Sequence, residues 1–83
     1  MTSLRVFEIE SIDLASFLAT AGHEVSVFCK PTGRRAVFSF KEDAKLHEAI
    51  VAYERGASLP AKRLLNARSW LFREASRAVR EAA

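Results

Sequence analysis

The chain contains one cysteine, Cys29, in 83 residues. A single thiol cannot close an internal disulfide or build a multi-cysteine zinc site, so neither staple is expected. The other soft metal ligands are His23 and His47. No two of these three stand at a recognised ligand spacing, so no metal or other cofactor is expected. There are only three glycines, at positions 22, 33 and 56. All sit at turns or helix ends, which leaves no material for a phosphate-cradling loop. Walker-type, dinucleotide-binding and paired-histidine zinc motifs are absent as well. No apolar run approaches the roughly 20 residues that would span a bilayer, so no membrane partner is expected. The stretch Met1-Thr2-Ser3-Leu4-Arg5 is not a charged start followed by an apolar segment, so no secretion signal is expected and the cytoplasm is the expected location.

What remains is ordinary for a small globular protein: 49% hydrophobic and 28% charged residues. Eighty-three residues make one domain, which buries about 60–65% of its unfolded surface, giving a thin core. The net charge of +3 is mild but unevenly spread. From Leu59 to Ala83 there are six basic residues and two acids, a balance of +4, whereas the first 58 residues hold seven basic and eight acidic residues, a balance of −1. Such asymmetry points to an anionic partner.

Periodicity predicts the order β-α-β-β-α-α. Leu4 to Ile9 alternates as a short strand. Ser11 can cap a helix in which Ile12, Leu14, Ala15, Phe17, Leu18 and Ala21 make one broad apolar face, and Gly22 ends it. Glu24 to Lys30 and Arg35 to Phe40 flank the turn Pro31-Thr32-Gly33-Arg34, in which proline fixes one dihedral and glycine supplies a positive one, and read as a β-hairpin. Val25, Val27 and Cys29 share one face of it; Phe28 and Val37 lie on the other, where an exposed Phe28 beside Arg35 could meet RNA bases, and the favoured expectation is that the third helix or a second subunit covers that face. Asp43 can cap a second helix that carries Leu46, Ala49, Ile50 and Tyr53 and stops at Gly56. Pro60 fits the first turn of a third helix running to about Arg80. The expected architecture is α+β, a three-stranded, mostly antiparallel sheet packed by three helices.

This order, with Asp13, Leu14, Leu18, Gly22, His23, Phe38, Phe40, Tyr53 and Gly56 at their places, resembles a small family of bacterial and phage-like genomes labelled only as a domain of unknown function. The likeness runs from about residue 7 to residue 72. It implies the same element order and a mobile-element setting. It implies no activity.

The last helix is sharply divided. Advancing 100° per residue, Lys62, Asn66, Ser69, Arg73, Arg77 and Arg80 fall within roughly 80° of one another. Arg63 and Trp70 flank that stripe. Leu64, Leu65, Leu71, Phe72, Ala75, Ala78 and Val79 occupy the opposite half, the half expected to pack. Two readings of the charged side stand together. It is the wet face every amphipathic helix needs, or it follows a phosphate backbone, with Trp70 stacking on an exposed base. Arg68 falls inside the apolar half. It must find an acid, snorkel outward or meet another chain. With Phe72 it marks a candidate protein interface.

The carboxylate pairs Glu42-Asp43 and Glu8…Glu10 are explained by capping and solvation, and Cys29 by burial among valines, so catalysis is not expected. The expected function is non-catalytic binding. The leading ligand is DNA or RNA, held by Lys62, Arg63, Arg73, Arg77 and Arg80 with Trp70. The alternatives are a protein partner or a homodimer, as in a regulatory module of a mobile element, or a domain with no nucleic-acid role.

Overall fold

The computed structural model describes residues 5–82, so Leu4, expected to open the first strand, lies outside the described residues. The elements are β1 (Val6–Ile9), α1 (Ile12–Thr20), β2 (Val25–Lys30), β3 (Arg35–Lys41), α2 (Ala44–Glu54) and α3 (Ala61–Ala82). The order is the expected one. The fold is α+β, with an open antiparallel sheet in the order β1-β3-β2.

The sheet has two unlike faces because side chains alternate along each strand. On one face the register aligns Phe7, Phe40 and Val25 in one row and Ile9, Phe38 and Val27 in the next. All three helices contribute to the cluster built on that face: Ala15, Phe17 and Leu18 from α1, Leu46 from α2 and Leu71 from α3. Helix α1 touches both α2 and α3, and α3 also lies against β2 and β3. The result is a slab about 17 Å thick, the depth of one sheet and one helix layer.

Local chemistry sets the helix ends. Ser11 accepts from the Leu14 amide at 3.2 Å, and Asp43 accepts from the Leu46 amide at 2.8 Å. Both satisfy an amide that the first turn leaves without a partner. At the far end of α1, Gly22 adopts φ +105°, and the amides of Gly22 and His23 return to the carbonyls of Ala19 and Leu18. Gly56 ends α2 in the same way, at φ +81°, with Gly56 and Ala57 returning to Tyr53 and Ala52. These are Schellman closures, and they require the left-handed conformation that glycine adopts without steric cost.

Three expectations need correction. Pro60 stands one residue before α3, where its carbonyl accepts from Leu64, so it is the N-terminal boundary residue of that helix. Its missing N–H is harmless at either place. The hairpin turn holds two left-handed residues, because Arg34 joins Gly33 at positive φ. Val37 is only 1% exposed, against 37% for its cross-strand neighbour Phe28, but it lies on the face away from the helices, so the third helix is not the cover that was expected. No helix covers it. It occupies the central strand; the Glu8–Lys30 pair (3.9 Å) joins the two outer strands across it, and Glu10, just past β1, reaches Arg35 of β3 itself at 3.5 Å. Their aliphatic stems close over the valine while the charges stay wet.

Candidate nucleic-acid interface

Helix α3 is one unbroken rod of 22 residues, about 33 Å long. Its inward line is Leu64, Ala67, Leu71, Ala75 and Ala78, of which Leu71 is fully buried and the others half-buried. The small residues on this line let the helix approach the sheet closely, and Leu71 supplies its main apolar anchor. That packing fixes the rotation of the rod, and hence the direction of every charged side chain on it.

Lys62, Arg63, Asn66, Ser69, Trp70, Arg73, Arg77 and Arg80 are all exposed, as their positions around the helix require. Lys62, Arg73 and Arg80 stand nearly in line, separated by roughly 16 Å and 10 Å of helix rise. Trp70 is 44% exposed. Arg63 lies on its side of the stripe, one face removed from Arg73.

The cations are not equivalent. Arg77 is held by its own helix, to Glu74 at 2.5 Å and Glu81 at 3.8 Å. Arg68 donates from Nε to Asp13 of α1 at 3.0 Å, with 48% of its side chain exposed. Of the outcomes open to Arg68, the acid partner and the exposed position both hold. Lys62, Arg63, Arg73 and Arg80 make no ion pair among the described residues. The surface free to meet an external anion is therefore these four side chains, and Arg77 is compensated.

The apolar half of α3 departs from expectation. Leu65 is 60% exposed and Phe72 61% exposed, so neither packs on this chain. The division of the helix into one wet and one buried half was too coarse. Buried positions cover a narrow arc centred on Leu71, and Leu65 and Phe72 lie a full 100° or more away from it, beyond the reach of sheet and neighbouring helix.

Several of the other polar groups have local partners. Glu8 and Glu10 pair with Lys30 and Arg35, Glu42 lies 3.0 Å from His47, and Asp43 caps α2. Half-buried Cys29 has its sulfur 3.5 Å from the Lys30 carbonyl. Ser16, the buried polar side chain, donates to the Ile12 carbonyl at 2.6 Å. Among the described residues, no three His, Cys, Asp or Glu side chains come together as a metal site, and no helix is long and apolar enough to cross a membrane.

Fold and surface together define a small two-layer α+β domain that carries a long cationic helix on its outer side. The chain belongs to a family described as a domain of unknown function (DUF5659), whose model matches residues 4–67. That span takes in the sheet, α1, α2 and the first two turns of α3. Trp70, Arg73, Arg77 and Arg80 stand beyond it. No curated protein and no solved structure matches the chain.

Proposed function

We propose that the protein is a non-catalytic binding domain that holds nucleic-acid phosphates along the outer side of α3. The observation that carries this reading is the set of four exposed cations, Lys62, Arg63, Arg73 and Arg80, without an acidic partner on a rod whose rotation is fixed by Leu71. Unpaired lysine and arginine release counterions from a phosphate backbone, and that release is the source of sequence-independent affinity. Asn66 and Ser69 between them can add neutral hydrogen bonds to phosphate or sugar. Trp70, at the edge of the stripe, offers a stacking surface to an unpaired base. Arg77 contributes to the field and makes no direct contact while Glu74 and Glu81 hold it.

The test compares the natural chain with an Arg73→Glu, Arg80→Glu double variant by fluorescence anisotropy of labelled single- and double-stranded oligonucleotides. Both positions are exposed and free of ion pairs, so the variant keeps its fold. The expected result is an increase in Kd of at least about tenfold at low salt. Equal affinity of the two proteins would contradict the assignment of phosphate contact to this face.

A further inference from the structure

Helix α3 is not symmetric about its cationic line. Lys62, Arg73 and Arg80 lie within roughly 20° of one another, and Arg63 and Trp70 stand roughly 70–90° to one side of them. At a similar angle on the other side stand Leu65 and Phe72, which are 60% and 61% exposed. Further round on that side Arg68 is bound by Asp13 at 3.0 Å, so its charge is already met. On the Trp70 side Arg77 is matched by Glu74 and Glu81, which leaves Arg63 as the free charge there. The free cations therefore trace one path, from Lys62 and Arg63 past Trp70 to Arg73 and Arg80.

A duplex needs two such paths. A helix in the major groove, about 12 Å wide, has a phosphate backbone on either flank. Docked on its cationic line, α3 would set Arg63 against one backbone and Leu65 and Phe72 against the other. Phosphates on that second flank would lose water beside apolar side chains, with only the hydroxyls of Ser69 and Ser76 as donors. A single strand has one backbone and needs one path. It also offers the faces of its bases, which a duplex keeps stacked on one another. Trp70 is 44% exposed and stands about 10 Å of helix rise from Arg63 and about 4.5 Å from Arg73, between two cations of the same path.

We propose, resting on the phosphate contact assigned to α3, that the ligand is a single strand. Trp70 stacks on one of its bases, and Arg63 and Arg73 hold phosphates to either side. Base and phosphate are common to DNA and RNA, so this surface selects strandedness and not the sugar.

The test follows the anisotropy of labelled oligo(dT) and oligo(U) of about 12 nucleotides, and of a DNA duplex of the same length, at one low salt concentration. Both single strands are expected to bind at least about tenfold more tightly than the duplex. Trp70→Ala is expected to raise the single-strand Kd at least about fivefold and to change the duplex Kd less than about twofold. Circular dichroism checks its fold, and Trp70→Phe, which keeps a ring, is expected to retain most of the single-strand affinity. A Leu65→Lys, Phe72→Lys variant supplies the missing second path at two exposed positions. It is expected to strengthen duplex binding more than single-strand binding. A duplex bound as tightly as the single strands, a Trp70→Ala variant that weakens both alike, or a Leu65→Lys, Phe72→Lys variant that strengthens both alike overturns the single-strand assignment and leaves phosphate contact standing. If instead Arg73→Glu, Arg80→Glu leaves every affinity unchanged, the phosphate contact itself fails, and the single-strand assignment falls with it.

Discussion

Asp43 fixes the start of α2 with one oxygen. Its carboxylate bonds the amide of Leu46, whose own side chain is fully buried, so the cap and the core contact constrain the same turn. Replacing Asp43 with alanine is expected to cost about 1 kcal/mol, read as a lower denaturant midpoint with an unchanged slope. Leu71 carries more. It is the one fully buried side chain of α3, and in a domain this small few others can take up its space. Leu71→Ala is expected to cost about 2–5 kcal/mol, which would be a large share of the total stability of such a chain. A loss under about 0.5 kcal/mol in chemical denaturation would mean that α3 is not anchored there.

At the scale of elements, the order of strands and helices was legible because each element carries its own punctuation. Ser11 and Asp43 accept amides where caps were expected, and Gly22 and Gly56 take left-handed conformations where helices were expected to stop. The hairpin was equally plain from Pro31 and Gly33. What the sequence hid was tertiary. Val37 sits on a face that alternation assigns to water, and only long side chains from both neighbouring strands remove it from solvent. Leu65 and Phe72 were assigned to the packed half because hydrophobicity alone marks no limit to the arc a sheet can cover. The cationic stripe itself was legible from helical spacing. Which of its members are free was not, because the Arg68–Asp13 pair joins residues 55 positions apart, a contact only the packing of α3 on α1 creates. The pairing of Arg77 with Glu74 and Glu81 was readable from its three- and four-residue spacing.

For the molecule as a whole, the distribution of charge matters more than its sum of +3. The open sheet face holds Glu8 and Glu10 against Lys30 and Arg35, a surface that neutralises itself. The outer side of α3 places Lys62, Arg63, Arg73 and Arg80 along one rod, away from the domain's carboxylates. An approaching polyanion would meet a row of uncompensated cations along α3. The most direct test of this account is the salt dependence of oligonucleotide affinity, followed through Trp70 fluorescence. Four phosphate contacts give a slope of log affinity against log salt of about −3.6 for a duplex and about −2.8 for a single strand. A slope in that range is the expected result. A slope near zero, or no response of Trp70 to any oligonucleotide at low salt, would contradict it.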